Sequence, residues 1–480
     1  MRSIVQEVAT QQTPESLVES HAPGAGLVLL RSAMFDSPQA RYSFVAANPF
    51  LAFCSTGSRC EFRSADGTHE QFGDPWSVLD TLMSRYELLE DIDLPFPLGG
   101  CFGYWGYDLK NFVEPHLPRT AVNDLELPDC HVGFYDSLVV FDHRLDKVWV
   151  VSTGCQVDGS RDEAHALRRL AEWTKLLGRE PDRTASAPGR GELRAARAGS
   201  TLGRERFMAL VRRAQQYIRN GDVYQVNLAH RLDVDCLLSG WGVFRALAAI
   251  SPAPFSGFLD CGDFQIASSS PEMFLRVSGR HIQTRPIKGT RPRSGDATRD
   301  AQLTYELQTS AKDLAELVMI TDLLRNDLGR VCEYGSVQVP ELVRLERYPH
   351  VQHLVSTVEG CLRSGVTHFD AFAKCFPGGS ITGAPKIRAM EIIDELEPVT
   401  RGPYTGCMGY LGFNRESQVN ILIRSALIKA ARAYFHAGAG IVADSNPAAE
   451  YDETMSKAAG FLAALNCDTN PVISASPVFP

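Results

Sequence analysis

The chain has 480 residues, 44% of them hydrophobic and 22% charged, a globular composition that excludes wholesale disorder and is long enough for a large core or two fused ones. Its formal net charge of -9 excludes a basic field that gathers nucleic acid or an anionic membrane, so an anionic ligand must be held by a local positive site. The 12 cysteines, Cys54, Cys101, Cys236 and Cys407 among them, form no C-x-x-C pair and no zinc-ligand array, and no targeting segment or long apolar run is present, so the expected setting is soluble and cytoplasmic.

Along the chain, GLVLLRS, RYSFVAA, HVGFYDSLVVFD and KVWVVS are rich in Val, Phe, Tyr and Leu between turn residues and read as strands. The segment RTASAPGRGELRAARAGS breaks the periodic apolar pattern and reads as a linker or surface loop. This divides the chain into an N-terminal region (1–180), a linker (181–200), a second region (201–467) and a tail (468–480). In the second region RERFMALVRRAQQYIRNGD carries an apolar stripe at helical spacing and closes at Gly221, AKDLAELVMITDLLRNDLGR stops near Gly329, and KIRAMEIIDELEP ends before Pro398. Strands FSGFLDC, DFQIASSS, VNILIRSALI and AYFHAGAGIVA fill the gaps, so the expected class is α+β with largely antiparallel sheets.

Carboxylate spacing is the densest chemical signal. Glu450 and Glu453 of AEYDETMSKA are three apart and share a helix face, with Lys457 one turn on; Asp313 and Glu316 of AKDLAELV repeat the arrangement. Brought together, the two faces offer hard oxygen ligands suited to Mg2+, although the same spacing also suits two solvated helix faces. In HAGAGIVADS, the glycines Gly438 and Gly440 flank Ala439 and allow a ligand close to the backbone; a tight turn between strands accounts for them equally well. The run FPGGSITGAPK leads into a helix N-terminus that favours an anion but lacks the P-loop pattern. In TRPIKGTRPRSGD, Lys288 lies among Arg285, Arg291 and Arg293, where crowded cations favour a neutral, nucleophilic amine; a solvated basic loop is the plainer reading. His353, alone in the apolar run HLVSTVEG, suits either a core position or a site.

Taken in order, SSSPEMF, PIKGTRPR, ITDLLRNDLGRVC, HLVSTVEG, FPGGSITGAPKIRAMEIIDELEP, RGPYTGCMGY, NILIR, GAGIVADS and EYDET closely resemble the chorismate-utilising enzymes, from about residue 200 to 465. That family holds the large subunits of anthranilate and aminodeoxychorismate synthases and the isochorismate and salicylate synthases. The resemblance implies two α/β halves enclosing a large antiparallel β-sandwich, with the active site in a central cleft. It further implies Glu316 and Glu453 as direct Mg2+ ligands, with Asp313 and Glu450 acting partly through water. Arg424, Tyr404 and the Gly438 to Gly440 backbone would hold a substrate carboxylate, with Lys457 beside metal and substrate. Thr290, His353 and Ser380 would line the cleft, and Glu272 resembles the family's general acid.

Lys288 chooses among the branches, because anthranilate synthases usually carry P-I-A-G-T where this chain has P-I-K-G-T. The resemblance therefore implies the aminodeoxychorismate synthase branch. Lys288 would attack C2 of chorismate, and ammonia from a separate glutamine amidotransferase subunit would yield 4-amino-4-deoxychorismate, the precursor of 4-aminobenzoate and folate. An anthranilate synthase large subunit and a catalytically silent chorismate-binding subunit are the alternatives. PLGGCFGYWGYD matches the family's G-G-x-x-G-Y element. Arg31 stands where tryptophan-inhibited relatives carry glutamate in L-L-E-S, so tryptophan feedback is not expected, although a non-regulatory tryptophan near Ser32 stays open.

Overall fold

Two antiparallel sheets stacked face to face carry every long strand of the computed structural model, which describes residues 2–21, 24, 26–32, 40–88, 93–181, 198–348, 351–467 and 472–473. The first sheet runs in the order Ile4–Glu7, Lys147–Ser152, Ser137–Asp142, Tyr42–Ala46, Val28–Arg31, Phe255–Asp260, Phe264–Ser270, Ser425–Lys429, Arg432–Ile441, Gln225–Asp235 and Gly199–Ser200. The second runs Ile287–Pro292, Val351–Cys361, His281–Arg285, Met273–Ser278, Glu416–Ile421, Cys407–Gly412, Gly100–Trp105, Cys130–Tyr135, Leu51–Thr56, Arg59–Ser64 and Gly67–Phe72. Val28–Arg31 pairs with Phe255–Asp260, and Gly100–Trp105 with Cys407–Gly412, so both sheets run unbroken across the N-terminal region and the second region. Residues 182–197 of the expected linker lie outside the described residues, whereas Gly199–Ser200 pairs with Gln225–Asp235 and, in parallel, with Val472–Ile473 of the tail.

The alternation of side chains along these strands separates the apolar residues into layers. Between the sheets lie Phe44, Phe102, Tyr104, Tyr135, Val140, Ile266, Met408, Tyr410 and Leu422. Outside the first sheet the helices Glu163–Leu177, Gly240–Ile250 and Pro447–Ala464 bury Trp173, Phe244 and Phe461. Outside the second, Pro75–Tyr86 and His368–Cys375 bury Trp76 and Phe372. The expected arrangement, helices on the outer faces of a large antiparallel sandwich, is what the chain adopts.

Three apolar runs do something the pattern did not foretell: each changes sheet. HVGFYDSLVVFD divides at Asp136 into Cys130–Tyr135 in the second sheet and Ser137–Asp142 in the first. VNILIRSALI breaks after Ile421 and resumes at Ser425, and DFQIASSS passes through Pro271 and Glu272 into Met273–Ser278. The latter two crossings are tied together, Ser270 Oγ donating to Ile421 O at 2.6 Å and Ile421 N to Glu272 O at 3.0 Å.

Phe372 is ringed by Trp76 and Trp105, at centroid distances of 5.1 and 5.2 Å, and by Phe274 and Phe376. Such a cluster cannot collapse onto a void, so we expect Phe372→Ala to lower unfolding free energy by about 3–5 kcal/mol, read from urea denaturation. Burial pushes His230 and His368 down to about 4. His230 sits between Ser200 Oγ and Thr454 Oγ1, and His368 between Ser417 Oγ and Gly279 O. An unfolded histidine titrates near 6.5, so between about pH 6.5 and 4 the unfolded chain binds more protons, and stability falls as the solution is acidified. The urea midpoint should drop across that window, and His230→Gln should make the drop shallower; a parallel drop in the variant would show that His230 is not one of its sources.

Candidate active site

Both crossings open onto one cavity of about 660 Å³, and the functional side chains are delivered to it by the elements that end or bend there. Pro271 and Glu272 come from one crossing, Ile423 and Arg424 from the other. Arg424 takes φ +50°, a left-handed conformation uncommon for a side chain of this size. Lys288, Gly289 and Thr290 come from Ile287–Pro292, where the register shifts between Lys288 and Thr290. Gly289 has φ +65°, and a Cβ there would lie 3.1 Å from Asp313 Cβ, so this bulge lays the strand against the helix Ala311–Gly329.

That helix and Pro447–Ala464 bring the carboxylates. Each starts from a side-chain cap, Ser310 Oγ accepting from Asp313 N and Asn446 Oδ1 from Ala448 and Ala449 N, and each carries acids in its first turns, where the helix dipole favours them. Asp313, Glu316 and Glu453 line the cavity. Each has a cation: Arg291 lies 3.0 Å from Asp313, Lys312 3.9 Å from Glu316 and Lys457 2.7 Å from Glu453. Burial raises the Glu316 carboxyl above its ordinary range; Lys288 and Lys312 oppose this, while Asp313 and Glu453 reinforce it, so the acids of the two helices feel one another.

Among the described residues no three His, Cys, Asp or Glu side chains form a ready-made metal cage. The donor set is nonetheless all carboxylate oxygen, facing a cavity large enough for water and an anionic substrate. Mg2+ fits such a set, because it keeps several waters and takes only one or two carboxylates.

Two expected residues are off the wall. The Ala439 methyl points into the core, because strand alternation turns it away from the face shared by Gly438 and Gly440. Glu450 is buried and accepts from Ser445 Oγ at 2.6 Å, and burial raises its carboxyl. Gly438 and Gly440 do not form a turn but sit inside Arg432–Ile441, where a Cβ would fall 2.8 Å from Tyr404 Oη at Gly438 and 2.2 Å from Gln225 Nε2 at Gly440. The anion site expected at the helix after FPGGSITGAPK is not turned to the cavity either. Ser380 and Ile381 line it, but Lys386 Nζ is bound to Asp327 Oδ2 at 2.6 Å and to the carbonyls of Cys375 and Pro377.

The remaining expected residues all reach the wall. Glu272 is buried, and burial raises its carboxyl, opposed by the Ser380 hydroxyl and the charges of Lys288 and Lys457. Lys457 Nζ also donates to Gly438 O at 2.9 Å. His353 stands 2.8 Å from Thr290 Oγ1, pushed down to about 4 by burial and by Arg424, and is therefore neutral near pH 7. Tyr404 stacks on His436 at 4.9 Å. Arg424 is pushed down by burial alone, and among the described residues neither it nor Lys288 has a carboxylate or a hydrogen bond to its side-chain nitrogens. Behind this wall, buried Arg401 grips Glu397 at 2.6 and 2.8 Å and reaches Ile381 O and Asn227 O, pinning three wall segments to one guanidinium. Asn227, Lys312 and His436 are among the further lining residues that pattern did not single out.

Between central strands of the two sheets, Arg31 is ion-paired with Glu15, and Arg31, Ser32, Tyr42, Phe44 and Met408 border a small cavity of about 50 Å³; residues 33–39 lie outside the described residues. No helix among the described residues is long and apolar enough to cross a membrane.

Comparison with known proteins places this geometry in a family. Residues 31–463 match the family of chorismate binding enzymes. Anthranilate synthase component 1 of Acetivibrio thermocellus is 39% identical over 468 residues, covering 95% of this chain and 93% of the relative. Aminodeoxychorismate synthase component 1 of Escherichia coli is 40% identical over 440 residues, covering 91% and 92%. Anthranilate synthase component I from Streptococcus pneumoniae shares the fold with a TM-score of 0.76 at 31% identity, over 88% of this chain and 93% of that one. Relatives with two different activities at similar identity establish kinship and leave the reaction to the site, and on that kinship the chain belongs to the chorismate-binding enzymes.

Proposed function

We propose that this chain is the chorismate-binding component of an aminodeoxychorismate synthase, which aminates chorismate to 4-amino-4-deoxychorismate with ammonia from a separate glutaminase subunit. The observation that carries the reading is Lys288: it lies on the cavity wall, among the described residues no carboxylate is bonded to its Nζ, and it is near enough to buried Glu272 to act on that carboxyl. An amine beside a carboxyl whose burial favours the protonated form suits substitution of a poor leaving group.

The dianionic substrate is drawn by Arg424, whose guanidinium has no anion of its own among the described residues. Glu316 and Glu453 would hold Mg2+, with Asp313 and Glu450 behind them, and the ion's chemistry there is neutralisation of substrate carboxylate charge. Lys288 Nζ bonds to C2, the ring double bond shifts, and the C4 hydroxyl leaves as water with a proton from Glu272. Ammonia then bonds to C4, the double bond returns, the bond from C2 to Nζ breaks, and the proton shed by the new ammonium restores Glu272. Chorismate and ammonia thus give aminodeoxychorismate and water, with the enolpyruvyl group retained. Neutral His353 and Thr290 border the reacting region without adding charge.

The test is incubation of the purified chain with chorismate, MgCl2 and ammonium at mildly alkaline pH, with products identified by mass spectrometry. We expect a product that keeps the enolpyruvyl group and becomes 4-aminobenzoate only when an aminodeoxychorismate lyase is added; anthranilate would move the chain to the other branch. Glu272→Gln should lower kcat by about 10²–10⁴-fold. Lys288→Ala should abolish the covalent adduct and most turnover, and unchanged rate and product in that variant would refute the covalent role.

A further inference from the structure

On the strand Gln225–Asp235, Asn227 is held firmly by its backbone, and among the described residues its side chain has no hydrogen bond. Its N–H donates to Thr382 O at 2.8 Å, and its carbonyl accepts from the Arg401 guanidinium at 2.9 Å. The side-chain amide lines the cavity, yet Oδ1 is buried with no donor, and among the described residues Nδ2 has no acceptor. Leaving the buried Oδ1 unpaired costs stability, so the fold by itself gives no reason for an asparagine at this half-buried position.

The surroundings supply one. A Cβ on Gly438 would lie 2.7 Å from Asn227 Oδ1 and 2.8 Å from Tyr404 Oη, so amide, phenol and glycine backbone meet at one corner of the cavity. Arg424, which has no anionic partner among the described residues, lines the same cavity. With Oδ1 turned inward against Gly438, Nδ2 is the face that the amide offers to the cavity. We propose that Asn227 is a substrate-binding residue whose Nδ2 donates to the carboxylate held by Arg424 and Tyr404, so that three side chains of different elements share one anion. The proposal rests on the reading that chorismate occupies this cavity.

Because the amide has no hydrogen bond among the described residues, removing it should cost binding and not folding. For Asn227→Ala we expect KM for chorismate to rise about tenfold or more with kcat within about threefold of the parent, and the thermal midpoint to be unchanged or higher. Asn227→Asp keeps the size but puts a carboxylate where an anion should bind, and should raise KM further. Equal KM in parent and Asn227→Ala, or a fall in kcat accompanied by a lower thermal midpoint, would overturn the assignment. Binding of chorismate to the parent, measured by calorimetry, separates the two levels: a parent that does not bind chorismate defeats the functional reading itself, whereas a parent and an Asn227→Ala variant that bind equally well defeat this inference alone.

Discussion

The site exists because two chain segments leave one sheet and enter the other at the same place. At Pro271–Glu272 and at Leu422–Arg424 the backbone must turn out of a strand, which frees peptide groups that the ladders no longer pair. The two crossings satisfy each other, through Ser270 Oγ to Ile421 O and Ile421 N to Glu272 O. This mutual repair fixes a carboxyl and a guanidinium at neighbouring points of one cavity. A strand interior would have buried both in the sandwich or turned them away; only a crossing lets a charged side chain leave the sheet while its backbone stays anchored.

Charge in the cavity is distributed unevenly, and the unevenness is chemically informative. The acids Asp313, Glu316 and Glu453 each have a basic neighbour, which offsets their charge. Among the described residues Arg424 is paired with no acid, whereas the charge of Lys288 is felt by Glu272 and Glu316. An unpaired cation in a partly desolvated wall is expensive, and a dianion recovers that cost on binding. The buried Arg401–Glu397 pair does the opposite work: its charges are consumed within the protein, two bonds to one carboxylate and others to carbonyls of wall segments. One arginine shapes the cavity and another is left free for its contents.

Much of this was legible in the sequence where local pattern maps onto local geometry. The i,i+3 acids of AKDLAELV both face the cavity, and the four Val-, Phe-, Tyr- and Leu-rich runs of the N-terminal region do form strands. What pattern missed depends on partners distant along the chain. The glycines of HAGAGIVADS fit a turn or a strand equally well by themselves; the approach of Tyr404 and Gln225 decides for the strand. Glu450 repeats the spacing of a ligand but is turned to Ser445. The helix after FPGGSITGAPK has an open N-terminus by composition, and the Lys386 side chain folds back to Asp327 beside it. Asn227 sits in QVNLAH, ordinary strand sequence, and only the meeting of four distant segments gives its amide a setting.

The bulge at Gly289 bears on how one scaffold serves several reactions. Its backbone is set by a residue in the left-handed region and by contact with Leu307 and Asp313, not by the side chain at 288. Position 288 is therefore a mount: its Cα is held in register with Leu354 of the neighbouring strand whatever side chain projects from it. On the proposed chemistry an amine there forms the transient bond, and a methyl group at the same point would leave cavity, acid and anion clamp in place while removing the nucleophile. On that same reading, relatives of two activities at nearly equal identity are what such an arrangement would produce, since the reaction would change at one side chain without disturbing the backbone that presents it.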